Sequence, residues 1–176
     1  MSSFTRARFI VASGLGATGV ALLDRLVARA ASADPGDLQT LNAAIELERA
    51  GIKAYDDAAA TKLLSPKVLA LALIFRRDHQ THLVALAAAV QSGGGMPTAK
   101  VANIHYPQLA SESDILAFAK GVEEKAASTY LSVIPDFKDR QLAGVAASIL
   151  GVETIHVGML AQALGAFPPY PDGFVK

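Results

Sequence analysis

The sequence predicts an all-α fold, a four-helix bundle in which two helical hairpins are joined by a long crossover. Four long stretches repeat apolar residues at spacings of three and four, and breakers containing proline or glycine separate them. No stretch of useful length alternates apolar and polar residues as a half-buried strand would. A chain of 176 residues that is 52% hydrophobic has room for one well-packed domain, which we assign to residues 34–176.

The first predicted helix runs from about Asp37 to Thr61 and begins just after Pro35-Gly36. The second begins at Ser65-Pro66, a pair typical of an N-cap followed by proline at the first helical position, and it ends at Gly93-Gly94-Gly95. Only a few residues separate the two helices, which predicts an antiparallel hairpin.

The third predicted helix begins near Ser111, which with Asp114 resembles a capping box, and it ends before Pro135. The fourth runs from about Asp136 to Leu164, and Gly165 serves as its C-cap. These helices also form a hairpin because their connection is short. The connection between the hairpins is longer, with roughly 18 residues that can cross the length of a bundle.

Three glycines lie seven residues apart in the fourth predicted helix, at Gly144, Gly151 and Gly158, and therefore share one face. Each costs about 1 kcal/mol relative to alanine in a helix interior. We expect close packing against a neighbouring helix to compensate for this cost.

The N-terminal segment, residues 1–33, has the features of an export signal. A basic start precedes an uncharged apolar run over residues 9–23, and Ala31-Ser32-Ala33 forms an A-x-A cleavage signal. The run is shorter than the ~20 residues of a membrane-spanning helix, so we expect cleavage and a periplasmic or other extracytoplasmic location. An uncleaved segment would instead anchor the chain in a membrane through residues 9–23.

The start of that segment, from Thr5 to Ile10, resembles the twin-arginine export motif S-R-R-x-F-L, with Ala7 in place of the second arginine. This substitution leaves the export route undetermined.

The composition argues against other classes of function. The formal net charge is zero, which argues against nucleic-acid binding. Cysteine is absent, so a metal site must use histidine and carboxylate ligands.

Three of the predicted helices place a carboxylate within their apolar stripe. The first has Glu48, the third has Glu123, and the fourth has Glu153 with His156 three residues later. Burial of a carboxylate without compensation costs several kcal/mol. No lysine or arginine occupies these stripes, so compensation must come from histidine, from protons or from a metal.

The two halves of the chain repeat this pattern. In the first helix of each half, a glutamate is followed seven residues later by a tyrosine, as Glu48 and Tyr55 and as Glu123 and Tyr130. In the second helix of each half, HQTHLVALAAAV superposes on ETIHVGMLAQAL, which aligns His79 with Glu153 and His82 with His156. Each hairpin thus supplies one inward carboxylate and one pair of polar residues three positions apart.

With these residues the chain resembles ferritin-like proteins, in which single glutamates from two helices and Glu-x-x-His pairs from the other two bind two metal ions. The resemblance covers about residues 37–165 and is to exported bacterial ferritin-like domain proteins more than to storage ferritins. It implies a metal site formed by Glu48, His79, His82, Glu123, Glu153 and His156. His79 departs from the family pattern, which has glutamate there.

That departure alters the metal chemistry that the resemblance implies. A bridging carboxylate is replaced, which leaves three carboxylates and three imidazoles. Imidazole suits iron and zinc better than manganese. We expect a transition metal, iron first, with zinc and manganese as alternatives and with one or two ions.

Three further residues are expected near the ligands. Asp78 lies four residues before His82 and would either bind the metal or hydrogen-bond a ligand histidine. Tyr55 and Tyr130 would donate hydrogen bonds or electrons near the glutamates, or simply fill the core. We expect His105, in the crossover, to be a surface histidine.

The leading functional hypothesis is an exported metal-binding protein, a di-iron-type oxidase or a protein of peroxide and stress defence. The alternative is a non-enzymatic accessory or scaffold subunit of a membrane-associated or periplasmic complex, with a degenerate or absent metal site. A Pro/aromatic tail, AFPPYPDGF, would suit docking to a partner protein. The partners expected are metal ions, with a second protein or a second copy as alternatives, and a membrane only if the N-terminal segment stays uncleaved.

Overall fold

The computed structural model describes residues 33–169, and this part of the chain contains four α-helices and no strand. The helices are α1 (Pro35–Ala60), α2 (Pro66–Ser92), α3 (Glu112–Val133) and α4 (Arg140–Ala163), with a 3-10 turn at Ile134–Asp136. The predicted all-α bundle is confirmed. The predicted export segment before Ala33 and the end of the tail from residue 170 onward lie outside the described residues.

Local hydrogen bonds explain where the helices begin. The Asp34 carboxylate accepts the Gly36 N–H at 2.8 Å at the start of α1, and the Ser111 hydroxyl accepts the Asp114 N–H at 3.2 Å at the start of α3. Proline stands at the beginning of α1 and of α2, where its missing N–H costs no helical hydrogen bond.

The fourth helix begins at Arg140, later than the predicted Asp136, because Phe137 and Asp139 have extended backbone conformations, with ψ angles of 127° and 114°. Asp37, in the first turn of α1, is 2% exposed and accepts the backbone N–H groups of Lys138 and Asp139, each at 2.9 Å. Asp139 then caps α4 by accepting the Gln141 N–H at 2.7 Å. Asp37 therefore ties the first helix to the connection between the last two.

The helices pair as predicted, α1 with α2 and α3 with α4, and the hairpins meet mainly through α1 and α3. Two apolar clusters fill the interior. One includes Ile45, Leu86 and Ile149, and the other includes Phe75 and Leu160. Apart from Asp37, the buried polar residues of each helix come between its contributions to these clusters, so a polar layer lies between two apolar layers.

The crossover is fixed to the outer side of α1 along its length. Hydrogen bonds join it to three points along that helix, from Thr98 N to Asn42 Oδ1 (2.8 Å), from Ala102 N to the Glu46 carbonyl (3.0 Å) and from the Tyr106 hydroxyl to Asp57 (2.6 Å). The segment from residue 98 to residue 106 is thus an ordered part of the domain, although it contains no helix.

The prediction that the three glycines of α4 pack closely is wrong. A Cβ atom built at Gly144, Gly151 or Gly158 would have no neighbour within 4 Å. The same side of α4 exposes Ile155 (60%) and Met159 (40%). Within residues 33–169, α4 is also the one helix long and apolar enough to cross a membrane, yet its opposite face contributes buried residues to the bundle interior.

Candidate metal centre

The bundle brings together all six residues predicted as ligands, in the layer between the two apolar clusters. Each is at most 8% exposed, and Glu123 and Glu153 are fully buried. Every helix contributes at least one of them because each side chain replaces an apolar residue on the inward stripe of its helix. The six residues form two overlapping groups, in each of which the four potential ligand atoms lie within 4.8 Å of one another.

The first group consists of Glu48, His79, His82 and Glu153. His82 Nδ1 lies 3.4 Å from Glu48 Oε2 and 3.1 Å from Glu153 Oε1. These contacts bring side chains of α1 and α4 together at His82 Nδ1 of α2.

The second group consists of His79, Glu123, Glu153 and His156. His156 Nδ1 lies 3.4 Å from Glu123 Oε2 and 3.2 Å from Glu153 Oε2. In each group, therefore, the Nδ1 atom of one histidine lies 3.1–3.4 Å from an oxygen of each of two glutamates. This similarity agrees with the sequence repeat, which aligns His82 with His156.

The two groups share His79 and Glu153, the two residues that the repeat aligns with each other. Glu153 directs one carboxylate oxygen toward each group. His79 does the same with its ring nitrogens, since Nδ1 lies 2.8 Å from Glu48 Oε2 and Nε2 lies 3.2 Å from Glu123 Oε1. The histidine that replaces the expected glutamate thus occupies a position between the groups.

These spacings fit ligands of a metal ion. Two atoms each about 2.0–2.2 Å from one ion, at angles of about 90–110°, lie about 2.8–3.6 Å apart. Six of the seven nitrogen to oxygen contacts within the two groups are 2.8–3.4 Å long, and the seventh, from His79 Nδ1 to Glu153 Oε1, is 3.7 Å. The donor set of imidazoles and carboxylates suits iron or zinc.

Two buried atoms in the first group also lack a partner. His82 Nδ1 and Glu153 Oε1 lie 3.1 Å apart, yet neither forms a hydrogen bond of acceptable geometry with any described residue. An unsatisfied buried polar group costs about 1–3 kcal/mol. A cation between these atoms would satisfy both, so the residues present fit a bound metal.

Without a metal, the histidines of the site attract protons. Burial alone would lower the pKa of His82 and of His156, but the adjoining carboxylates outweigh it and raise each pKa to about 9. Burial alone would raise the pKa of Glu48, but the hydrogen bond with His79 and the adjoining His82 lower it to about 2. For Glu153, burial and the neighbouring Glu123 outweigh its histidine partners, and its pKa is raised.

Both tyrosines of the repeat donate to ligand glutamates, but each donates to the glutamate of the other hairpin. The Tyr55 hydroxyl donates to Glu123 Oε1, and the Tyr130 hydroxyl donates to Glu48 Oε1 at 2.5 Å. Both tyrosines are at most 4% exposed. They therefore orient the carboxylates as well as filling the core.

Asp78 lies on the side of His156 that faces away from the glutamates. Its Oδ2 atom is 3.4 Å from His156 Nε2, whereas Nδ1 of the same ring faces Glu123 and Glu153. Phe75 stacks on that ring with 3.9 Å between centroids. Of the two roles expected for Asp78, this position favours orienting the histidine over binding the metal.

Sequence reasoning missed Gly51, which the site requires. A Cβ atom at this position would lie 2.9 Å from the His79 ring. The ring therefore reaches its place between the two groups only because α1 has no side chain there. The available signal was a glycine in the interior of a long helix, three residues after Glu48.

The family comparison agrees with this architecture. The model of the ferritin-like domain matches residues 36–166. The chain belongs to the ferritin-like domain family. The matched region includes all of the bundle except Pro35, and all six inward residues of this ferritin-like chain.

Among solved structures, the ferritin-like chain is similar to a conserved hypothetical protein, rv2844, from Mycobacterium tuberculosis. The TM-score is 0.67 at 22% sequence identity, over 78% of this chain and 96% of that one. At this identity the similarity establishes the fold alone. No curated protein matches the chain.

Proposed function

We propose that this protein is an exported ferritin-like metal protein whose two ligand groups hold a redox-active metal pair, with iron as the preferred metal. The observation that supports it is the arrangement of two four-residue groups around a shared His79 and Glu153. Glu48 and His82 would hold one ion, Glu123 and His156 the other, with Glu153 and His79 between them.

Bound iron would supply one-electron chemistry and coordination positions for oxygen or peroxide. The protein contributes the orientation of the ligands. Tyr130 donates to Oε1 of Glu48, which leaves Oε2 directed at the two histidines of α2. Phe75 covers one face of His156, and Asp78 is placed to hold its far nitrogen.

The reaction class that this arrangement supports is oxidation by oxygen or peroxide, in metabolism or in stress defence. The hydroxyls of Tyr55 and Tyr130 lie against ligand carboxylates, where they can donate protons or electrons. We also propose an extracytoplasmic location, supported by the basic start, the apolar run and the A-x-A sequence of residues 1–33. The intact mass of the protein from its native host tests cleavage after Ala33.

The deciding experiment is metal analysis of protein purified from its native compartment, with the double variant Glu48→Gln/Glu153→Gln as comparison. We expect near-stoichiometric transition metal in the wild type and little in the variant. Chelation should lower the melting temperature of the wild type only. A wild-type protein that holds no transition metal and keeps its stability after chelation would refute the proposal.

A second candidate function is that of a non-enzymatic accessory subunit without metal. The observation that favours it is charge balance, since three protonated histidines would neutralise the three buried glutamates. The exposed apolar face of α4 around Ile155 and Met159 would then contact a partner. This candidate predicts the opposite result in the same measurement, a protein free of metal and indifferent to chelator.

A further inference from the structure

A pocket of about 350 Å³ opens between α1, α3 and the crossover and reaches the metal centre. Its inner end is formed by the buried side chains of Glu48 and His79, and its rim includes the exposed Asn103, His105 and Lys125. The walls between them are mostly apolar and include Leu47, Ile104, Phe118 and Val122. His105 is exposed, as predicted for a surface histidine, but it lines this rim.

The pocket is formed by an ordered crossover. The segment over it, residues 102–105, is held at both ends, by the hydrogen bond of Ala102 N to the Glu46 carbonyl and by that of Tyr106 to Asp57. The Tyr106 ring also packs on Phe118 of α3, with 5.1 Å between centroids. The crossover therefore bridges α1 and α3 and encloses the space between them.

Two glycines keep this space open. Gly51 on α1 lets the His79 ring lie against the helix backbone at the inner end, and Gly121 on α3 adds no side chain to the wall. A Cβ atom built at Gly121 would meet nothing within 4 Å. A larger residue at Gly121 can therefore enter open space without displacing the backbone.

We propose that this pocket binds a small, uncharged and mainly apolar organic molecule and presents it to the metal centre at Glu48 and His79. The inference rests on the proposed function and names its substrate class. The volume lies within the ~300–1,000 Å³ typical of small-molecule sites, and it exceeds what dioxygen or peroxide needs. The buried polar residues at the inner end already contact one another, so a charged group would be desolvated there without a partner.

The test uses the full chain and indole as the probe, an uncharged apolar molecule that fits the size class. Indole binding is followed by ligand-observed NMR titration of the wild type, of Gly121→Leu and of Gly144→Leu. Both variants place leucine on an exposed helical glycine with no neighbour within 4 Å, but only Gly121 lines the pocket. In parallel, the protein is loaded with cobalt(II), and its visible absorption is recorded with and without indole.

We expect saturable binding by the wild type and by Gly144→Leu, and binding weaker by roughly tenfold or more in Gly121→Leu, whose side chain would occupy the pocket. Indole should also shift the cobalt absorption of the wild type, because the pocket ends at two metal ligands. Equal binding by both variants, no saturable binding by the wild type, or an unchanged cobalt spectrum with indole bound would each overturn the inference. Failure of the proposed function appears separately, as absence of cobalt binding by all three proteins whatever the indole result.

Discussion

Tyr130 of the second hairpin donates a hydrogen bond to Glu48 of the first, at 2.5 Å and in a fully buried position. Tyr55 of the first hairpin donates in the same way to Glu123 of the second. The two bonds cross the interface between the hairpins in opposite directions. Ligand orientation and the joining of the hairpins therefore depend on the same two hydroxyl groups.

Replacement of Tyr130 by phenylalanine should destabilise the protein by about 1–3 kcal/mol, because Glu48 Oε1 would lose its donor in a buried site. The matched control is Tyr106→Phe, which removes a hydroxyl bonded at 2.6 Å to the partly exposed Asp57, where water can replace it. We expect a loss below about 1 kcal/mol there. Urea unfolding of the metal-free proteins measures both, and equal losses would contradict the argument.

The six inward residues could be predicted because each interrupts an apolar stripe of helical period, and the repeat put them in register. The partners of the tyrosines could not be predicted. A sequence repeat fixes which residues correspond, but not how far the two hairpins are shifted and rotated against each other. That relative placement makes Tyr55 meet Glu123 rather than the glutamate of its own helix.

The structure of the crossover could also be predicted only in part. Its length predicted a connection across the bundle, but the pocket beneath it depends on hydrogen bonds to the outer side of α1 that have no periodic signal. The helix-propensity cost of a glycine likewise does not show what the glycine is for. The glycines of α4 lie next to open space, whereas Gly51, which has the same helix propensity, lies against His79.

The variant His79→Glu should change metal preference. It replaces an imidazole between the two groups by a fourth carboxylate, which favours manganese relative to zinc. Without metal, four buried carboxylates repel one another, so the rise in melting temperature on metal loading should exceed that of the wild type. Competition titrations and thermal unfolding test this, with His105→Glu at the exposed crossover as control. An unchanged manganese to zinc ratio would argue against a position for residue 79 between the metals.

Removal of Asp78 should weaken metal binding without removing a ligand. Its carboxylate is 3.4 Å from His156 Nε2, and loss of such an orienting group typically costs about 10–100-fold in affinity. We expect Asp78→Ala to keep the metal stoichiometry and to bind more weakly by an amount in this range. The control is Asp56→Ala. Asp56 lies on α1, is exposed, and forms an ion pair with Arg76 of α2. A change of stoichiometry in Asp78→Ala would instead identify Asp78 as a ligand.

The metal-free protein should lose stability as pH rises from 6.5 to 9. The pKa values of His82 and His156 are raised from 6.5 to about 9, so these residues stabilise the folded state fully below pH 6.5 and lose this effect as pH passes through 9. The groups that raise them are Glu48, Glu123 and Glu153.

Metal binding displaces the same protons, so metal affinity should increase across that window and proton release should accompany binding. Calorimetric titration in two buffers of different ionisation enthalpy measures the protons released, and denaturation at several pH values measures the stability. A metal-free protein whose stability is constant over this range would contradict the argument.

Two glycine to alanine substitutions should have opposite effects on stability. Gly51→Ala places a methyl group 2.9 Å from the His79 ring, which is held at both nitrogens by Glu48 and Glu123 and cannot move without breaking those contacts. Such overpacking typically costs about 1–3 kcal/mol, so after the gain of about 1 kcal/mol from helix propensity we expect a net loss of up to about 2 kcal/mol. Gly121→Ala gains the same propensity next to open space and should stabilise the protein by up to about 1 kcal/mol.

Urea denaturation of both variants without metal shows whether each substitution raises or lowers the free energy of unfolding. Metal titration then adds a second distinction, because displacement of the His79 ring in Gly51→Ala should also lower metal affinity, whereas Gly121→Ala leaves every ligand in place. Stabilisation by both substitutions would mean that the His79 ring moves freely. In that case His79 would not be a fixed element between the two ligand groups, and the rigid two-metal arrangement would have to be abandoned.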